Sequence, residues 1–187
     1  MNKNKIIIYS TIFIILIISM LFIYTYVNRS PEQDRLSDIY DNRSPVRDRL
    51  SEYTAKAIVL SCMDFRFVND KIYFFNASGF RDNYNKFSLA GASLGYNQDS
   101  FPAWSETFDK HIELAIDLHQ IDEIVVLDHM DCGAYRILYD NPSMSMQEEY
   151  ELHKVNLNKF KIAMNKKYPS LKVTTFLTNI DGSIEQY

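Results

Sequence analysis

Two short apolar runs, Ala57-Ile58-Val59-Leu60 and Ile124-Val125-Val126-Leu127, each end two residues before a side chain that binds metals: Cys62 after the first, His129 after the second. A run of this length, rich in branched residues and bounded by polar ones, predicts a strand buried on both faces. Such strands are expected over residues 56–61, 87–90, 123–129 and 171–177. Between them the spacing turns helical. Trp104, Phe108, Ile112, Ala115, Ile116 and Leu118 recur at threes and fours over residues 104–121. Leu152, Val155, Phe160, Ile162 and Ala163 mark one side of a second long helix over 147–168, stopped by Pro169, and a short helix is expected over 133–139. Strands alternating with helices predict an α/β fold, a mainly parallel β-sheet flanked by helices. Ligands of such sheets gather beyond the carboxyl ends of the strands, where Cys62 and His129 both fall.

The chain has only two cysteines, and each sits in a pattern that zinc chemistry needs. Cys62 opens Cys62-Met63-Asp64-Phe65-Arg66, and Cys132 closes His129-Met130-Asp131-Cys132, followed by Gly133. Two thiolates and one imidazole form a three-ligand zinc set with the fourth position open, which is the form a catalytic site takes. His129 and Cys132, three apart at a strand-to-helix turn, can converge on one ion. Asp64 is close enough to accept a hydrogen bond from water at the open position, and Arg66 has the planar fork to hold that carboxylate ionised and aimed. A disulfide between Cys62 and Cys132 is the alternative in an oxidising compartment, but it has no use for Asp64, Arg66 or His129 at these spacings.

Cys-x-Asp-x-Arg at one strand end and His-x-x-Cys-Gly at a later one resemble the β-class carbonic anhydrases. The resemblance covers about residues 55–184, including the turn at Asp181-Gly182, and Ala90-Gly91 resembles the loop that the family places beside its active site. It implies one zinc per chain on Cys62, His129 and Cys132, with Asp64 and Arg66 as the catalytic dyad. The implied reaction is reversible hydration of carbon dioxide to bicarbonate and a proton. It also implies a homodimer whose partner helps wall the site, with the aromatic-rich segment 73–84 as the apolar surface. Phe65 stands where the family most often has Ser, the stretch from Cys62 to His129 is longer than usual, and the chain is short after Cys132. These departures keep two alternatives in play: another small substrate such as carbonyl sulfide or carbon disulfide, and a non-catalytic zinc-stabilised module.

Gly91-Ala92-Ser93-Leu94-Gly95 fits the nucleophile elbow of serine hydrolases, with Asp128 or Asp131 and His153 completing a triad. An elbow should feed directly into a helix, whereas residues 96–102 are rich in Asn, Asp, Ser and Pro. His111, His119 and His153 lie on predicted helices, where packing or solvent-facing roles are expected; one of them could shuttle protons.

Residues 6–27 carry no charge, and as a helix they would rise ~33 Å, enough to cross a ~30 Å hydrocarbon core. The run is bulky and lacks a small-residue cleavage pattern, so it predicts a retained transmembrane signal anchor rather than a signal peptide. Lys3 and Lys5 argue that residues 1–5 stay cytoplasmic, although Arg29 and Arg35 weaken that asymmetry. The domain is then expected on the extracytoplasmic or lumenal side of a membrane. Residues 28–54 form a polar tether that repeats Asn-Arg-Ser-Pro and Asp-Arg-Leu-Ser with a 14-residue period, leaving 55–187 as the zinc-binding domain. A net charge of −4 argues against a nucleic-acid partner, and Lys154, Lys159, Lys161, Lys166 and Lys167 are expected to form a solvated helix face.

Overall fold

The computed structural model describes residues 14–21, 24 and 53–187. Residues 14–21 are helical and exposed, and among the described residues no helix is long and apolar enough to cross a membrane. Most of the expected span 6–27, and nearly all of the tether 28–54, lies outside the described residues.

From residue 53 onward strands and helices alternate. Strands β1 (Ala57–Cys62), β2 (Tyr84–Leu89), β3 (Glu123–His129) and β4 (Lys172–Thr178) are parallel. Strand β5 (Ile184–Gln186) pairs antiparallel with β4, giving the order β2-β1-β3-β4-β5. The two apolar runs become the central strands β1 and β3, every residue of which is buried. Their side chains alternate between two cores. Ile58, Leu60, Cys62, Ile124 and Val126 face one cluster, while Ala57, Val59, Val125 and Leu127 face another with Phe75 and Phe80. Both faces are covered, so the sequence runs apolar without a polar alternation.

Helices α1 (Val68–Ala77), α2 (Ser93–Tyr96), α3 (Pro102–His119), α4 (Gly133–Leu138) and α5 (Met146–Lys167) supply the layers. Helix α3 begins on Pro102, whose missing N–H costs nothing there, and ends where Gln120 turns left-handed at φ 53°. Helix α5 is capped by Ser145, whose hydroxyl accepts from the Glu148 amide while the Glu148 carboxylate accepts from Ser145.

Four details depart from the sequence reading. Strand β2 begins at Tyr84, because polar Asn85 and Lys86 pair along an edge rather than inside the sheet. Strand β5 was not anticipated. The segment 73–84, expected to offer apolar surface to a partner, instead includes the end of α1, and its Phe75 and Phe80 are buried against the sheet; Tyr73 does remain exposed. Finally, α5 buries Phe160 and packs Leu152 and Ala163 against the core as expected, but the rest of its inner face differs. Val155 and Ile162 are each 61% exposed, and the buried stripe is Glu149, His153, Asn156, Leu157, Phe160 and Met164. Polar residues occupy the first half of that stripe, so an apolar count misplaces it.

Gly95 gives a test of how tightly α2 is seated. A Cβ there would lie 2.4 Å from the Ala90 carbonyl oxygen and 3.3 Å from both Leu89 Cβ and Trp104 Cε3. The first obstacle is backbone and cannot swing aside, so Gly95→Ala should destabilise the protein by about 1–3 kcal/mol in urea unfolding. An unchanged midpoint would contradict this packing.

Candidate metal centre

Parallel register places Ser61 opposite Leu127, so Cys62 and the Asp128-His129 end of β3 emerge at the same edge of the sheet. The chain then reverses through Asp131, which holds φ 59°, a conformation that Asp tolerates better than most residues. That turn brings Cys132 back toward Cys62. The two sulfurs lie 3.9 Å apart, and one ligand atom each from Cys62, His129 and Cys132 falls within 4.8 Å of the others. A disulfide needs ~2.05 Å between sulfurs, and both cysteines are free. Two thiolates ~2.3 Å from a tetrahedral zinc ion would stand about 3.8 Å apart, close to the separation seen.

The imidazole is set for the same purpose. Nδ1 of His129 donates to the Met130 carbonyl oxygen at 2.9 Å, which in the neutral imidazole places the free lone pair on Nε2. Nε2 is buried and has no hydrogen-bond partner among the described residues. The Phe67 ring stacks on the imidazole at 4.3 Å between centroids. A buried acceptor left unpaired is costly unless something occupies it. Two soft sulfurs and this nitrogen form a donor set that suits zinc.

The thiols share a proton. The hydrogen bond from Cys132 pulls the Cys62 pKa down to about 4, against a burial effect that opposes it and with help from His129. The same bond and burial push Cys132 up. The Gly91 amide also donates to the Cys62 sulfur at 3.4 Å, a contact that favours the thiolate. Metal binding must displace the remaining proton.

Asp64 and Arg66 stand beside this cluster. Asp64 Oδ1 accepts from the Arg66 amide at 2.9 Å and from Nε at 3.1 Å, and Oδ2 accepts from Nη2 at 2.8 Å. Oδ2 also lies 3.9 Å from His129 Nε2. The opposite edge of the guanidinium donates to the Asp131 carboxylate at 2.7 Å and to the Asp131 carbonyl at 2.8 Å, while Arg136 holds the other Asp131 oxygen at 2.7 Å. Arg66 therefore joins the loop after β1 to the loop after β3. Its hydrogen bonds lower the Asp64 pKa to about 2, and those of Arg66 and Arg136 lower Asp131.

The structure thus brings together all five residues singled out in the two motifs. It does not assemble the serine triad. Ser93 is buried, and its hydroxyl donates to Asp128 Oδ2 at 2.5 Å, so the carboxylate lies between serine and His153 and no base touches the serine. His153 is buried rather than solvent-facing, whereas His111 is exposed and bonds the Thr107 carbonyl, and half-buried His119 bonds Asn85. Sequence reading missed Asp131 and Arg136 as parts of the site, and Glu149, whose Oε1 accepts from the Cys132 amide at 2.6 Å. The acid inside His-x-x-Cys was a signal for Asp131; nothing local marks Glu149.

The depressed carboxylate gives a pH test. A group whose folded pKa lies below its ordinary value of 3.8 stabilises the fold above that value and loses the contribution as pH falls toward about 2. Carbon-detected NMR titration should find Asp64 near 2, rising toward 3.8 in Arg66→Met. Titration near 3.8 in the unaltered chain would contradict the pairing.

Residues 52–186 match the family described as "Putative carbonic anhydrase". An uncharacterized protein of Rickettsia conorii is 40% identical over 133 residues, which span 71% of this chain and 72% of that protein. A second, from Rickettsia bellii, is 40% identical over 133 residues, spanning 71% of this chain and 81% of that protein. Among solved structures, a tetrameric β-carbonic anhydrase of Sordaria macrospora superimposes with a TM-score of 0.54 at 12% identity, covering 87% of this chain and 95% of that one. At that identity the likeness is one of fold.

Proposed function

The chain belongs to this carbonic anhydrase family, as a divergent β-class-like member, and from that premise we propose that it is a zinc enzyme that hydrates carbon dioxide to bicarbonate and a proton. The observation that carries the reading is the unpartnered Nε2 of His129, buried beside two sulfurs 3.9 Å apart. Cys62, His129 and Cys132 would hold the ion. Zinc bound there would act as a Lewis acid and bring the pKa of a coordinated water toward about 7, the value known for carbonic anhydrase.

The remaining work falls to the protein. Asp64 stays ionised at any pH at which the protein would work, because Arg66 grips both of its oxygens. A carboxylate without a proton can only accept, so it draws the hydrogen of the attacking water toward itself and leaves a lone pair facing carbon. Arg66 is in turn held by Asp131, which fixes the direction in which the Asp64 carboxylate points. The released proton passes to solvent or buffer.

About one zinc per chain is expected in purified protein. Cys62→Ser and Cys132→Ser should each lose most of it, since metal binding is coupled to folding in such sites. Asp64→Asn leaves all three ligands in place and should keep zinc, yet lower carbon dioxide hydration by at least ~10²-fold. Full metal in both serine variants, or undiminished hydration by zinc-loaded Asp64→Asn, would contradict the reading. A zinc-loaded wild-type chain without hydration near neutral pH would transfer it to another small substrate.

Two wider features belong to the same proposal. The uncharged run 6–27 supports a membrane anchor with the domain outside the cytosol. Exposed Met63 and Phe65, inside the Cys62–Arg66 motif, and exposed Ile137 on α4 support a dimer or larger assembly, and the Sordaria macrospora protein is itself a tetramer. The full chain should resist extraction by alkaline carbonate and sediment in detergent as at least a dimer. Release into the wash, or a fully active monomer, would overturn the respective feature.

A further inference from the structure

Behind Cys132 lies a row of ionisable side chains that the proposed reaction does not use. Asp128, Glu149 and His153 are each 1% exposed. Asp128 precedes His129 on β3, while Glu149 and His153 sit one turn apart on α5. His153 Nδ1 donates to Asp128 Oδ2 at 2.9 Å, and its Nε2 lies 3.6 Å from Glu149 Oε1, an ion-pair distance rather than a hydrogen bond. Asp128 is held further by the Ser93 amide at 3.0 Å, the Ser93 hydroxyl at 2.5 Å and the Tyr135 hydroxyl at 3.0 Å. Tyr135 also packs its ring on His153, 3.8 Å between centroids.

Seating α5 on β3 does not require such a row. Burying carboxylates is expensive even when they are paired, and apolar residues at 149 and 153 would pack the helix at lower cost. Burial opposes a charged His153, yet the hydrogen bond to Asp128 and the nearby Glu149 carboxylate outweigh it and raise the imidazole's pKa. One end of the row leads to the metal loop. Glu149 Oε1 accepts from the Cys132 amide at 2.6 Å, the shortest contact that the row makes outside Asp128 and Ser93. Cys132 is the N-cap of α4, and its side chain makes no capping hydrogen bond. The first amides of a helix have no intrahelical acceptor, and for the Cys132 amide Glu149 supplies one.

We propose that Glu149 is a positioning residue of the metal centre: its bond to the Cys132 amide sets where the Cys132 sulfur points. With Asp131 turned left-handed on one side and Gly133 opening α4 on the other, the backbone at Cys132 has Glu149 as its anchor to a long helix. The coordination geometry is then imposed from α5 and not by the ligand loop alone. The same row ties the backbone at His129 to α5 through Asp128, so both ligands supplied after β3 share one support.

The inference rests on the metal assignment, and cobalt tests the two separately. The full chain is loaded with Co(II), whose ligand-field and sulfur-to-metal bands report geometry without any turnover. Glu149→Asp keeps the charge but withdraws the carboxylate by one methylene, so the Cys132 amide loses its acceptor. Glu149→Gln keeps the reach and an acceptor oxygen but removes the charge. The expected result is a shifted spectrum and at least ~10-fold faster loss of cobalt to a chelator in Glu149→Asp, with the wild-type spectrum retained in Glu149→Gln. A folded Glu149→Asp protein with wild-type bands and exchange rate overturns the proposal, as does a Glu149→Gln protein perturbed equally. If Glu149→Asp does not fold, Glu149→Gln alone decides: wild-type bands support the proposal and shifted bands overturn it. A wild-type chain that takes up no cobalt overturns the metal assignment itself.

Discussion

Parallel pairing of β1 with β3 in a single register is the constraint from which the rest of the site follows. It puts Cys62 and His129 at one edge of the sheet and leaves their backbones no freedom to drift apart, because every residue of both strands is buried and a slip would turn apolar side chains to the wrong core. The last ligand then needs only a short loop. Asp131 supplies the left-handed turn, and Cys132 comes to rest 3.9 Å from Cys62, sulfur to sulfur. A cluster of candidate ligands built in this way is a product of the sheet and not of the loops that decorate it.

Around that cluster the charges are arranged in two layers with different duties. On the open side, Asp64, Arg66, Asp131 and Arg136 alternate in sign and cross from one strand end to the other. Their partial exposure makes each pair weak as a source of stability, but the planar fork of Arg66 fixes direction as well as charge. On the buried side, Asp128, His153 and Glu149 do the reverse: they are costly to bury and hold backbone in place. Directional control of a carboxylate near water and of a sulfur near a metal are the two things such a centre needs.

Much of this was legible from the chain. The ligand residues and the Asp-Arg pair are local patterns, each within five residues, and their strands are marked by continuous apolar runs. What escaped reading was either long-range or polar. The bond from Arg66 to Asp131 joins positions 65 apart, and no spacing rule reaches that far. Helix α5 hides Glu149, His153 and Asn156 where an amphipathic pattern would place apolar residues, so the expected face, right at Leu152, Phe160 and Ala163, wrongly takes in Val155 and Ile162. Helix α1 left little trace, since Phe75 alone of its residues is buried while Val68 and Ile72 are exposed. The polar edge strand β2 was cut short because Asn85 and Lys86 look like loop.

The central claim is that Cys62, His129 and Cys132 converge on one zinc ion that keeps a position open. X-ray absorption at the zinc edge of the purified full chain tests it most directly. The account predicts two sulfur scatterers at about 2.3 Å and two nitrogen or oxygen scatterers at about 2.0–2.1 Å, one of them from His129 and the other exchangeable. A shell of nitrogen and oxygen only, or one in which the sulfur count survives in Cys62→Ser, would contradict it.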